Sequence, residues 1–304
     1  MPDFVRRLYR SQRDQAAATP PALSLAASRL CFGARKKKAW FDPCPSVRPK
    51  GWDGLVGKWR KFNFVNPPWN QGADWVNKAA IETQEHGACS VLLLAARTHT
   101  QWFARVVFPR AAHIVFVTNR VMFTGYSRPC PTACGLYVFG GPATVTAPPG
   151  ARLVPLPARL LDLGRYPTLQ GAAMPAMEAV VGRRFGKAAR FVCVRDRSTD
   201  IVAEMREHHE RNPGACTVAM FSNAVLNSNF VCESLLPMAT EVWFFTPTMQ
   251  LDEGTARVSA TGSVVFVLGA LPPWDKRPRP DRTVHFMTMG AGCNGVVGSS
   301  SKSS

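Results

Sequence analysis

Residues 62–96 read FNFVNPPWNQGADWVNKAAIETQEHGACSVLLLAA. A short apolar run, Phe62 to Val65, stops at Asn66-Pro67-Pro68-Trp69; a stretch with helical spacing follows, and then the apolar run Ala88 to Ala96. That order predicts strand, turn, helix, strand, the unit from which α/β sheets are built. Outward from it, AAHIVFVT and CGLYVFGG add two more strand-like runs before residue 142. Ser90 to Ala95 and Ile114 to Thr118 are almost continuously apolar, as strands covered on both faces are. The expected fold class is therefore α/β.

From 142 to 175 the chain becomes rich in Pro, Ala and Gly (it opens PATVTAPPGARLVPLPARLL), which predicts a boundary. Past it the pattern returns at a constant offset of 127 residues. Phe64-Val65 falls on Phe191-Val192 and Gly87-Ala88-Cys89 on Gly214-Ala215-Cys216. Val115-Phe116-Val117 falls on Val242-Trp243-Phe244, and Gly135 with Val138-Phe139 on Gly262 with Val265-Phe266, without a gap. One offset held through four runs reads as a tandem duplication. The expected organisation is a basic arm at 1–38, a first domain at 39–145, a linker at 146–184, a second domain at 185–275 and a flexible basic tail at 276–304.

The 304 residues carry 37 Lys and Arg against 20 Asp and Glu, a net +17, and residues 1–61 alone hold 14 basic and 4 acidic side chains. Such an excess points to a polyanion, with Arg35, Lys36, Lys37 and Lys38 as candidate phosphate contacts. No apolar run approaches the roughly 18 residues of a membrane-spanning helix, so a membrane partner is not expected. Nine scattered cysteines suit a reducing intracellular compartment. Cys130 and Cys134 have no second pair to complete a zinc site, and His208-His209 sit on differing sides of a polar helix, so no metal is expected. Phe4, Val5, Leu8 and Tyr9 against Arg6, Arg7, Arg10 and Arg13 suit a mitochondrial presequence or a basic helix on nucleic acid equally, leaving mitochondrion and nucleus both open.

Asn66-Pro67-Pro68-Trp69 carries the sharpest chemistry. α/β sheets bind ligands at the carboxyl ends of their strands, and this unit directly follows one. An exocyclic amine on an aromatic ring is a poor nucleophile because its lone pair is delocalised. The Asn66 side-chain oxygen and the Pro67 carbonyl can accept its two N–H hydrogens and free the lone pair for attack on a methyl sulfonium, while Pro67 and Pro68 hold that carbonyl rigidly. Trp69 offers a face on which an extruded base can stack.

Around this unit stand Phe41-Asp42-Pro43-Cys44-Pro45, Asp53-Gly54-Leu55, Trp59, Trp75 and the run Leu92-Leu93-Leu94-Ala95-Ala96-Arg97-Thr98-His99-Thr100-Gln101-Trp102-Phe103. In this order they resemble the phage-type DNA N6-adenine methyltransferase (Dam-like) family over residues 39–141. The resemblance implies a Rossmann-like class I methyltransferase fold, S-adenosylmethionine as cofactor and nucleic acid as partner, DNA preferred and RNA open. It implies Asn66, Pro67, Pro68 and Trp69 as the catalytic unit, with Asp42, Pro43 and Asp53 beside the cofactor. Arg97, Thr98, Arg120 and Phe123 would line the substrate side.

The chain also departs from that family. No Gly-rich loop precedes Asp42, His99 stands where Asp is frequent, and Ala95 or Ala96 replaces a Pro. In the second copy the positions of Asn66 to Trp69 hold Cys193, Val194, Arg195 and Asp196, so that copy is expected to be degenerate and inactive. The functional expectation is an adenine-N6 methyltransferase. Its competitors are a retired methyltransferase serving as a nucleic-acid or ribonucleoprotein scaffold, and methylation of a protein glutamine amide.

Overall fold

The computed structural model describes residues 19–32, 40–45, 47, 49–148, 150–162, 189–193, 199–212, 214–246, 252–253, 256–257, 262–269 and 281–289. Its centre is one mixed sheet of ten strands. In chain order these are β1 (Phe62–Val65), β2 (Cys89–Ala95), β3 (His113–Val117), β4 (Cys134–Phe139), β5 (Ala151–Asp162), β6 (Ala189–Cys193), β7 (Cys216–Ser222), β8 (Ala239–Thr246), β9 (Ser263–Gly269) and β10 (Arg282–Met289). Across the sheet they run β1-β2-β4-β3-β10-β5-β8-β9-β7-β6. The helices are α1 (Pro21–Phe32), α2 (Gly72–His86) and α3 (Thr199–Arg211). None is long and apolar enough to cross a membrane, among the described residues.

Local sequence explains the elements. β2, β3 and β4 are buried at every position, as their unbroken apolar runs require. α2 buries Trp75, Val76, Ala79 and Ala80 on one side and carries Asp74 in its first turn and His86 in its last, the charge order a helix dipole favours.

The two ends of the sheet share one connectivity. β1 lies parallel to β2, β2 antiparallel to β4, and β4 antiparallel to β3; β6, β7, β9 and β8 repeat those senses in that order. Phe62 pairs with Cys89 and Ala189 with Cys216, each 127 positions on. The fourth strand departs from the gapless offset. Ser90 faces Phe139 whereas Thr217 faces Leu268, so β9 is displaced by two further residues and Gly262 does not correspond to Gly135. Against β8 the register also differs, Val242 facing Phe266 where Val115 faces Leu136, with an irregularity between Val267 and Leu268.

The centre of the sheet differs from the sequence expectation. Ala151–Asp162, inside the stretch expected to be a linker, is β5, and Arg282–Met289, inside the expected tail, is β10. Each leaves its own half: β5 pairs parallel with β8, and β10 parallel with β3. The registers correspond, Ala158 with Val242 and His285 with Val115, every residue 127 positions from its counterpart. β5 and β10 meet antiparallel along eight pairs, Ala151 with Met289 through Ala158 with Arg282. The halves are thus related by an approximate dyad and interlocked by exchange of their last strands.

Pro155 and Pro157 concealed β5, because proline is excluded from most central strands. The Leu160 amide donates to Asp281 Oδ2 at 2.8 Å, which puts even-numbered amides of β5 toward β10 and odd-numbered positions toward β8. Pairing to β8 begins only at Ala158, so the missing amides of Pro155 and Pro157 fall where no neighbouring strand needs them. Arg282 is no surface charge: its guanidinium donates to the carbonyls of Phe108, Ala111 (2.8 Å) and Ala112 (3.2 Å), tying β10 to the helical segment 101–110.

Candidate functional site

β1 ends where Pro67 removes an amide, and Pro68, at φ −56° and ψ 121°, turns the chain into the short helical turn Trp69–Gln71 that leads into α2. Asn66 is half-buried at that turn and Pro67 is buried. Asn63, which sequence reasoning passed over, anchors the strand from below. Wholly buried, it donates to the Arg60 carbonyl (2.7 Å) and Ser90 Oγ (3.0 Å) and accepts the Arg60 amide (3.0 Å). Only a buried, alternately placed Asn in an apolar strand could have signalled it.

On the outer edge of β1 a single residue continues the sheet. Phe41 bridges to Asn63, its amide donating to the Phe62 carbonyl (3.0 Å) and its carbonyl accepting the Phe64 amide (3.1 Å). Asp42 and Pro43 therefore run alongside Phe64 and Val65 toward the Asn66 end. Asp42 accepts the Cys44 amide at 2.9 Å; packing around its solvent-facing carboxyl raises its pKa, and that amide opposes the rise. The Asp53-Gly54-Leu55 turn docks on the same place, Asp53 accepting the Leu55 amide at 2.9 Å. A β-carbon on Gly54 would stand 2.0 Å from the Pro43 carbonyl oxygen. The indoles of Trp52 and Trp59 donate to the carbonyls of Pro43 (2.9 Å) and Gly54 (2.7 Å), and Trp59 stacks on Trp75 at 6.1 Å. The Asp53 turn is thus held against Pro43, next to Asp42, on a segment that runs parallel to β1 in the direction of Asn66, and the carboxylates of Asp42 and Asp53 can accept the hydroxyl hydrogens of a ribose. In that respect the residues fit S-adenosylmethionine.

The substrate side is assembled differently from the expectation. Trp69 is only 7% exposed and meets Phe123 edge to face, centroids 6.0 Å apart and planes at 64°. A base between two rings needs parallel planes and two stacking distances of about 3.4 Å each, so this pair as it stands is closed. Thr98 is wholly buried and turned into the other half of the molecule, where its hydroxyl and the Asn223 side chain are hydrogen-bonded (2.9 and 3.2 Å). His99 follows it there: its carbonyl accepts from Thr246 Oγ1 (3.4 Å), and Gly262, at φ +87°, leaves the space its ring fills. Burial, with the Arg97 charge, holds the His99 pKa below its ordinary value. Arg97 stays half-buried at the end of β2. Arg120 is exposed, and its charge helps lower the pKa of Cys130, chiefly held down by the hydrogen bond from Cys134. Arg35, Lys36, Lys37 and Lys38 lie outside the described residues. No three potential metal ligands cluster among the described residues.

No curated protein and no solved structure matches the chain significantly. Over residues 44–133, a stretch that contains the Asp53-Gly54-Leu55 turn, Asn66 to Trp69, Arg97-Thr98 and Phe123 and covers less than a third of the chain, it matches the family model described as DNA N-6-adenine-methyltransferase (Dam).

Proposed function

We propose that residues 40–133 form an amine-methylating site of the Dam type, acting on adenine N6 in nucleic acid, with DNA preferred. The observation that carries this reading is the seat of Asn66-Pro67 at the carboxyl end of β1 with Asp42 running beside it. Asn66 and the Pro67 carbonyl would accept the two hydrogens of the target amine and turn its lone pair outward. Asp42 and Asp53 would hold the ribose of S-adenosylmethionine, which when bound supplies a methyl group on a sulfonium. The product ammonium is acidic enough to lose its proton to water, so the chain need provide no general base. Opening of the Trp69–Phe123 pair would admit the base.

That closed pair and the sequestered Thr98 favour a second reading, in which the site no longer turns over and the protein is a nucleic-acid scaffold. Methyl incorporation from labelled cofactor into DNA and RNA, with a cofactor-binding titration, decides between them. The enzyme reading expects binding, and an Asn66→Ala variant slowed on the order of 10²-fold or more with nucleic-acid binding kept. Absence of cofactor binding by the full chain overturns it in favour of the scaffold.

We also infer that the two halves arose by tandem duplication. The repeated pairing senses, the offset of 127 and the π-helical turns at Phe103–Val107 and Val231–Leu235 support this. The second half, with Cys193 where Asn66 would stand, would then have kept its core and its exchanged strand while giving up the polar site.

A further inference from the structure

The outer edge of β1 concentrates two kinds of side chain. Trp40, Phe41, Trp52, Phe62 and Phe64 are all half-buried there. Because Phe41 pairs with Asn63, strand alternation puts Trp40, Phe62 and Phe64 on one face, Trp40 lying 6.0 Å from Phe64. On the other side of the edge Phe41 meets Trp52 edge to face at 5.6 Å, under the Arg60 guanidinium at 5.0 Å. Lys50, Lys58, Arg60 and Lys61 are all exposed in the same segment, where Asp42 and Asp53 are the acidic side chains among the described residues 40–64. At the opposite end of the sheet Ala189 and a buried Phe191 stand at the positions of Phe62 and Phe64.

We propose that this edge is a track for single-stranded nucleic acid, bases resting on the rings and phosphates on the four cations, leading along β1 over about 13 Å to Asn66. The proposal rests on the nucleic-acid reading above and names the form of the partner. Partly exposed aromatic faces interleaved with Lys and Arg suit unpaired bases, which offer a π-face that a duplex keeps stacked inside. The same cations without rings would serve duplex and single strand alike.

The full chain is titrated with fluorescein-labelled thymidine oligonucleotides of about 16 nucleotides and with a duplex of equal length. The single strand should bind more tightly. Trp40→Ala and Phe64→Ala should each weaken it between about fivefold and a hundredfold with little change in salt dependence. Lys58→Ala and Lys61→Ala should each lower the log–log salt slope by about 0.7. Photocrosslinking of the unaltered protein to an iodouracil-containing oligonucleotide removes any dependence on variant folding, and adducts should map to residues 40–64. Unchanged affinity in both aromatic variants, preference for the duplex, or adducts confined to other segments overturns the track. Cofactor binding and methyl incorporation are read separately, so failure of the methylation reading leaves these outcomes distinct.

Discussion

Gly54 shows how little room the β1 edge leaves. With a β-carbon placed 2.0 Å from the Pro43 carbonyl oxygen, Gly54→Ala must push the two turns apart. A cost of about 1–3 kcal/mol is expected from such overpacking, measured as a lowered urea midpoint, together with weakened cofactor binding if the acids at 42 and 53 act jointly. At the junction of the halves, Thr98→Ala and Asn223→Ala each leave the other side chain buried without its partner. Each should cost about 1–3 kcal/mol, and the double variant should cost less than the two singles added. Full additivity would show that the two side chains do not act together. Asn66 could be singled out because its chemistry is local, whereas the fate of Thr98 could not: adjacent in sequence to Arg97, it is committed to a partner 125 residues away.

At the scale of elements, β5 and β8 are joined by a buried ion pair, Arg159 Nε donating to Glu241 Oε1. The dyad puts Phe286 and Ile114 at the corresponding positions of β10 and β3, so the molecule holds both a charged and an apolar solution to one packing problem. Removing one charge strands the other: Arg159→Phe or Glu241→Ile alone should cost about 3–5 kcal/mol in denaturant unfolding. The double variant, copying the other half, should recover most of that loss. If it is no more stable than either single, the two environments are not interchangeable. β5 itself escaped sequence reading for a physical reason, since its two prolines precede Ala158, where pairing to β8 begins.

For the whole molecule, exchange of β5 and β10 makes each half depend on the other. A chain ending at residue 149 lacks both central strands and leaves β3 unpaired on one side, so it should be markedly less stable than the full chain, while the full chain should unfold in a single cooperative transition. Introducing a protease site between residues 163 and 188 and cutting there should leave the fragments associated through those strands. Separation of the fragments on a sizing column would refute the interlock. The same central seam carries a pH dependence. Burial, the neighbouring His113 at 6.1 Å between ring centroids and Arg282 press the His285 pKa down to about 4, and burial lowers that of His113 as well. The His285 ring is thus neutral in the fold down to about pH 4 but takes up a proton near pH 6.5 when unfolded. Stability is therefore full above about pH 6.5 and falls as the pH drops toward 4. His285→Gln should flatten that profile in unfolding measured between pH 7.5 and 4.

What the sequence determined by itself was whatever rests on short-range physics. Unbroken apolar runs required buried strands and Pro67-Pro68 ended β1, while the ordered motifs around Asn66 and Arg97 resemble a Dam-type segment, as the match over residues 44–133 supports. The offset of 127 was legible too, because equivalent strands repeat the same burial. Only the tertiary structure decided where β5 and β10 pair, that Trp69 closes on Phe123, and that Thr98 faces Asn223. Each of these depends on a partner far along the chain. A residue's own sequence neighbourhood encodes how it is buried, not which distant surface buries it.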